Sequence, residues 1–274
     1  MVDAHNSFET IGILGIPYDD DSSFLLGCRK GPDAIRAAAA CRSGHWVAEN
    51  GVDLQDHPRI ADLGNIEFSD STDPRTAIET AVHHALQNQT ATLSLGGDHS
   101  ITYPILKAYA NHFGPVNVLQ LDAHPDLYDV LDDNRFSHAC PFARSHESGL
   151  IQRHVQIGIR TLTPHQQIQA DRFGVEVHAM TGSQQVTQLE FDGPVYLTLD
   201  LDALDPAFAP GINHYEPGGM SVRDVLAVIQ NLQTGLIGAD IVELNPDRDF
   251  QDMTAHVAAK FMKEILASML TSDG

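Results

Sequence analysis

The sequence predicts an α/β fold with a mainly parallel sheet of about eight strands and helices on both faces, and three observations carry that expectation. Short apolar runs recur along the chain, each followed by a turn and then by a segment with helical spacing. Most of those runs are apolar throughout instead of alternating, as strands covered on both faces require. No Gly/Ser linker, charge block, low-complexity tract or internal repeat divides the chain, so one domain is the simplest organisation.

In chain order, the first strand is expected at Ile11–Ile16, followed by a helix over Pro32–Cys41. Ile60–Leu63 is the next strand, ahead of a helix over Pro74–Asn88 whose proline sits where the first turn tolerates one. Ala91–Leu95 leads to the helix Thr102–Phe113, and Val116–Leu121 leads into a long loop. Val155–Ile159 precedes the helix Pro164–Phe173, again opened by proline, and Val175–Ala179 follows. Val195–Leu199 comes before a further loop and the helix Ser221–Gln233, with Ser221 as its N-cap. Leu236–Val242 and the helix Gln251–Leu270 complete the order. The longest non-helical stretches, Pro17–Gly31, Ala123–Phe142 and Asp202–Met220, all begin at strand ends, where open α/β sheets bind their ligands.

Across 274 residues, 37 acidic side chains against 16 basic ones give a formal charge of −21. A field of that sign repels phosphate backbones and anionic headgroups, so nucleic acid and membrane surfaces are poor partners and small cations or metal ions are better ones. The three cysteines, Cys28, Cys41 and Cys140, make no disulfide framework and fit a reducing compartment. The start Met-Val-Asp-Ala-His-Asn lacks a signal peptide's basic and apolar regions, and no apolar stretch is long enough to span a bilayer. A soluble, cytoplasmic protein is expected.

Three strand ends carry residues suited to chemistry. After Val116–Leu121 comes Asp122-Ala-His124-Pro-Asp126, and an extended segment throws those alternate side chains to one face. Val195–Leu199 ends in Asp200-Leu-Asp202, with Asp205 three residues on, and Ala91–Leu95 runs into Gly96-Gly97-Asp98-His99-Ser100. Alone, the glycine motif reads more readily as a sharp turn and helix start with Asp98 or Ser100 capping, and the aspartate pair reads equally as a solvated loop edge. Asp-x-His-x-Asp at the end of an apolar strand is harder to explain that way, because its groups pay for desolvation unless paired or metallated. Three such clusters at the same end of three strands point to one site.

The six candidate ligands are therefore His99, Asp122, His124, Asp126, Asp200 and Asp202. They are too many for one catalytic zinc, and a carboxylate-rich set with two imidazoles suits two divalent ions of the manganese type, other divalent metals being able to bind. Such ions lower the pKa of bound water enough for it to attack a polarised carbon at neutral pH. No Gly-x-Ser-x-Gly elbow, phosphate loop, Gly-x-Gly-x-x-Gly fingerprint or Cys-x-x-Cys pair is present. Cys140, two residues from His138, allows a Cys/His hydrolase to be imagined, but nothing marks an orienting third group.

Taken together, the motifs Gly15-Ile-Pro-Tyr-Asp19, Gly31-Pro-Asp-Ala-Ile-Arg36, Gly-Gly-Asp-His-Ser, Asp-Ala-His-Pro-Asp, Leu199-Asp-Leu-Asp-Ala-Leu-Asp-Pro206 and Asp240-Ile-Val-Glu-Leu-Asn-Pro246 resemble the ureohydrolase family of arginase, agmatinase, guanidinobutyrase and formiminoglutamase. The resemblance covers nearly the whole chain. It implies a three-layer α/β/α catalytic domain over residues 1–274, a dinuclear manganese site, hydrolysis of a guanidino or formimino group, and homotrimers or hexamers. Carried over by motif, Asp122 and Asp200 bridge, His99 and Asp126 complete one metal, and His124 and Asp202 the other. Asp126 also bonds the attacking hydroxide, Glu243 holds the guanidinium, and His138 matches a histidine assigned to proton transfer.

Departures from the family pattern bear on substrate. Arginase carries Ser-x-Asn-x-His for its substrate's amino-acid head, whereas this chain reads Asn134-Arg-Phe-Ser-His138, which before Pro-Phe is closer to agmatinase. Ala139 and Cys140 replace the usual Gly and Thr or Met, the bulkier Asn213, His214 and Tyr215 stand before Glu-Pro-Gly-Gly, and Asp19-Asp-Asp-Ser-Ser23 adds acidity. The expected activity is a dinuclear amidinohydrolase releasing urea from a small cationic guanidino compound, agmatine-like before arginine-like. A formimino or related amide hydrolase on the same metals is the alternative within enzymes, separable by scoring urea, formamide and ammonia. A metal-binding relative without turnover is the alternative outside them, and it would need neither Glu243 nor His138.

Overall fold

The computed structural model describes residues 8–181, 189–232 and 234–271. The chain runs through β1 (Thr10–Gly15), α1 (Gly31–Ala39), β2 (Ile60–Asn65), α2 (Pro74–Gln87), β3 (Thr90–Leu95), α3 (Thr102–Phe113), β4 (Val116–Leu121) and α4 (Pro141–Glu147). It continues through β5 (Ile151–Ile159), α5 (Pro164–Phe173), β6 (Glu176–Ala179), β7 (Val195–Asp200), α6 (Val222–Asn231), β8 (Leu236–Val242) and α7 (Met253–Thr271). The strands form one 8-stranded sheet in the order β2-β1-β3-β8-β7-β4-β5-β6. Each pairing is parallel. β4, β7 and β8 are buried at every residue, which accounts for their largely apolar character. Helices α1 and α6 pack on α7, while α2 and α4 pack on α3. No helix among the described residues is long and apolar enough to cross a membrane.

Local chemistry sets the helix starts. Asp73 caps α2 by accepting from the Arg75 N–H, with Pro74 at the first position. Thr163 with Gln166 and Ser221 with Asp224 form reciprocal capping boxes ahead of α5 and α6. Gln233, the expected end of the α6 segment, lies outside the described residues, as does the expected N-terminal hexapeptide.

Some boundaries differ from expectation. β5 begins at Ile151, four residues early, and α7 begins only at Met253 because Gln251 and Asp252 adopt left-handed conformations (φ 50° and 58°). α4 lies where no helix was expected, since seven residues reading Pro-Phe-Ala-Arg-Ser-His-Glu are too short to show a period. β2 is an edge strand, exposed over its last four residues.

The strand order positions the site. The chain builds β1, β2 and β3 on one side, then jumps past two places to lay down β4, and β7 and β8 later fill the gap. The carboxyl ends of β3, β8, β7 and β4 are thereby neighbours, at the switch point where the connections diverge.

Candidate metal centre

Beyond β3 the backbone passes through Gly96 and Gly97. Neither takes a positive φ, so the expected sharp turn is not their purpose. A Cβ on Gly97 would lie 1.8 Å from the Tyr18 carbonyl oxygen, and one on Gly96 2.5 Å from Ile101, so these glycines permit close approach. Asp98 caps the following 3₁₀ turn through the Ser100 N–H (3.0 Å) and with its other oxygen accepts from the Asp21 N–H (3.1 Å), tying down the Pro17–Gly31 loop. Capping and ligation therefore coexist in one motif: Asp98 caps, and His99 turns inward.

Buried His99 places Nδ1 3.2 Å from Asp122 Oδ2, 3.0 Å from Asp126 Oδ2 and 3.2 Å from Asp200 Oδ2. That nitrogen has no hydrogen-bond partner despite three nearby oxygens. A ring nitrogen and carboxylate oxygens that converge without bonding one another are arranged around a common point, as a cation requires. Asp126 reaches it from a left-handed backbone (φ 51°).

A second group adjoins the first. His124 Nδ1 stands 2.8 Å from Asp202 Oδ2 and 3.7 Å from Asp122 Oδ1, so Asp122 turns one oxygen to each histidine. Asp122, His124 and Asp202 could hold one ion, and His99, Asp122, Asp126 and Asp200 another. Asp122 is the residue common to both groups. Asp200 falls only in the His99 group, its Oδ1 accepting from the Asp202 N–H at 2.8 Å. The Gln120 side-chain amide donates to Asp122 Oδ2 at 2.7 Å and the Ala123 N–H to Asp202 Oδ1 at 3.0 Å, which orients both ligands.

The electrostatics agree. Burial, then the charges of Asp202 and Asp122, raise Asp200 far above the carboxylate range, and burial with Asp122 pushes Asp126 up to about 6. Burial would lower His99 and His124, but their aspartate neighbours outweigh it and raise both. The cluster is held together by positive charge, from protons or from the divalent ions its donors suit.

Glu243 follows β8 directly, in another left-handed conformation (φ 66°), and is nearly fully buried. Its Oε1 lies 2.8 Å from His138 Nδ1 and accepts the His99 backbone N–H at 3.0 Å, while His138 Nε2 is 2.8 Å from Ser23 Oγ. Burial opposes charge on both partners, yet each holds the other ionised: Glu243 falls below the carboxylate range and His138 is raised to about 9. Glu243, His138, His124, Asp126, Asp200 and Asp202 all line one cavity of about 250 Å³.

The expected substrate loop is placed differently. Of Asn213, His214 and Tyr215, only His214 lines the cavity. Asn213 is buried and donates to the Leu25 carbonyl, and Tyr215 donates to the Pro210 carbonyl beneath the Arg248 guanidinium. Asp205 turns away to accept from the Ala207 and Gly218 N–H groups. Asp19 and Asp20 pair with Arg29, and Asp21 with Arg75. Ala139 lines the cavity, but Cys140 does not, and burial pushes its thiol up to about 12, away from a nucleophile's range. Sequence reasoning passed over Glu216, which lines the cavity 3.7 Å from His124 Nε2. The available signal was its place two residues after His214 in a loop leaving a ligand-bearing strand.

The Arginase family model matches residues 9–268. Arginase 1, mitochondrial, of Arabidopsis thaliana is 42% identical over 94% of this chain and 80% of that protein. The agmatinase of Serratia proteamaculans is 34% identical over 93% of this chain and 85% of that protein. The solved structure of arginase from Medicago truncatula superposes with a TM-score of 0.90 at 37% identity, covering 96% of this chain and 88% of that one. With an all-parallel eight-stranded sheet, paired histidine-aspartate groups at its switch point and these likenesses, the chain belongs to the arginase family of hydrolases.

Proposed function

We propose that this chain is a single catalytic domain that hydrolyses a guanidino C–N bond of a small cationic substrate, agmatine-like, to give urea and an amine. The observation that supports it best is the meeting of both histidine-aspartate groups with the Glu243–His138 pair in one cavity. His99, Asp122, Asp126 and Asp200 would hold one manganese ion, and Asp122, His124 and Asp202 the other. When bound, such ions supply Lewis-acid polarisation and acidify a coordinated water.

The chain's own groups do the rest. Glu243 is a fixed, desolvated anion whose oxygens accept from a planar guanidinium. Asp126, with an oxygen turned to the cluster, accepts a hydrogen bond from the attacking water. His138, held protonated by Glu243, carries the proton that a leaving amine needs. Among the described residues no lysine or arginine lines the cavity, whereas Asp126, Asp200, Asp202, Glu216 and Glu243 do, which favours a substrate that is cationic at both ends. Arginine is the second reading, favoured by the 42% identity to a plant arginase. A homo-oligomer in a reducing compartment such as the cytoplasm completes the proposal, with free Cys28, Cys41 and Cys140.

The test is a panel of agmatine, arginine and other guanidino and formimino compounds with manganese-loaded protein, scoring urea, formamide and ammonia separately. Urea released fastest from agmatine is expected. Urea from arginine alone would transfer the assignment to the second reading, and formamide or ammonia as the sole product would refute both.

A further inference from the structure

Strand ends bring the ligands together, but a histidine ligand must also carry its lone pair on the correct nitrogen. Asp240, within β8, is fully buried, belongs to neither ligand group and does not line the cavity. Its Oδ1 accepts from Thr198 Oγ1 at 2.6 Å, and its Oδ2 accepts from Tyr196 OH and Thr102 Oγ1, each at 2.9 Å. Thr198 is the register partner of Asp240 across the β7–β8 pairing, so the sheet itself sets the first contact.

Thr198 Oγ1 also lies 2.9 Å from His99 Nε2. A hydroxyl has one proton to give. With that proton committed to the Asp240 carboxylate, Thr198 meets His99 only as an acceptor, and Nε2 must be the nitrogen that carries hydrogen. In the neutral ring Nδ1 then holds the lone pair, and Nδ1 is the atom that faces Asp122, Asp126 and Asp200. The Phe142 ring stands edge-on to His99 at 5.2 Å and restricts its rotation, but a hydrocarbon ring cannot select between tautomers.

We infer that Asp240, acting through Thr198, is the positioning residue that holds His99 in its metal-ligating tautomer. An amide at position 240 can donate to Thr198, which frees the hydroxyl proton to point at Nε2 and moves the ring hydrogen to Nδ1. Outer partners of metal-bound histidines act in this way, and their loss costs about 10- to 100-fold in metal affinity.

The inference rests on the proposed metal site, so the experiment begins with wild-type protein loaded with Mn(II). Bound ions per chain are counted by elemental analysis, affinities are measured by calorimetry, and electron paramagnetic resonance distinguishes coupled ions from an isolated one. Wild type should bind two coupled ions. Asp240→Asn and Thr198→Val should lose about 10- to 100-fold in affinity at one site only and show the six-line signal of isolated Mn(II). Thr198→Ser, which restores the hydroxyl, should recover both ions. Tyr196→Phe, which removes a different donor to the same carboxylate, should keep both. Thr198→Val binding two ions at wild-type affinity would overturn the inference, as would Tyr196→Phe losing as much as Asp240→Asn. Wild type binding fewer than two ions would overturn the metal site itself before any variant is compared. If Asp240→Asn does not fold, the Thr198→Val and Thr198→Ser pair decides.

Discussion

Glu243→Gln changes one atom and should lose activity by two routes with different pH dependence. The amide keeps the carboxylate's shape, so the bond from the His99 N–H can persist and the ligand groups, which do not include Glu243, should keep their ions. The first loss is a charged hydrogen bond to a cationic substrate, worth about 1.5–3 kcal/mol or roughly ten- to a hundredfold in kcat/KM. The second falls on His138. Burial lowers its basicity and the Glu243 charge is the largest influence raising it to about 9. Without that charge His138 should titrate at or below the ordinary histidine value of about 6.5, leaving about 3% protonated at pH 8. The combined loss at pH 8 should be about 300- to 3,000-fold or more, shrinking toward the first factor as pH falls below about 6.5 and His138 regains its proton. The assay is kcat/KM of metal-loaded wild type and variant from pH 6 to 9, with metal content measured at each pH. An equal loss at every pH would show that Glu243 does not govern the His138 proton, and loss of metal would refute its place outside the ligand groups.

Asp122→Ala should strip metal from both groups, whereas His124→Ala should affect mainly its own, because Asp122 stands in both; equal ion counts for the two variants would contradict the bridging place. His146 is lowered to about 4 by burial, so as pH falls below about 6.5 the unfolded chain takes up a proton that the folded one refuses. Its contribution is complete above about 6.5 and is lost down to about 4, up to about 3 kcal/mol, so metal-free His146→Gln should lose less stability than wild type across that window in chelator-containing melts. Parallel melting curves would refute this. His214→Ala, in the cavity wall, should alter the ratio of agmatine to arginine turnover while Tyr215→Phe leaves it unchanged. Gly97→Ala should destabilise the fold by about 1–3 kcal/mol in denaturant melts, since its Cβ would meet the Tyr18 carbonyl.

The ligand-bearing strand ends were legible because two short-range rules act together there: largely apolar runs mark buried parallel strands, and the two-residue period aligns Asp122, His124 and Asp126. Glu243 and His138 were reached only through motif likeness, since nothing local says that a loop histidine and a strand-end glutamate 105 residues apart will meet. The same limit hid the Asp240–Thr198 contact, which depends on the register of β7 against β8. Asn213 and Tyr215 were misplaced because bulk is visible in a sequence while direction is not, and both spend their polar groups on backbone carbonyls. β2 has few exclusively apolar positions because one of its flanks has no neighbouring strand.

The placement of every metal-ligand candidate at or just beyond the carboxyl ends of β3, β4 and β7 has a kinetic consequence. Each of these strands, like β8, has neighbours on both sides, while β2 and β6 form the sheet's borders. Opening free energies grade from near zero at fraying edges to the global value at the centre. Amide hydrogens of β2 and β6 should therefore exchange with solvent long before those of β7 and β8, and the border strands can detach while the donor cluster stays assembled. Ions held there as proposed would then leave through the cavity mouth or with opening of the loops that carry their ligands, so strand order as well as ligand affinity would bear on how fast they dissociate.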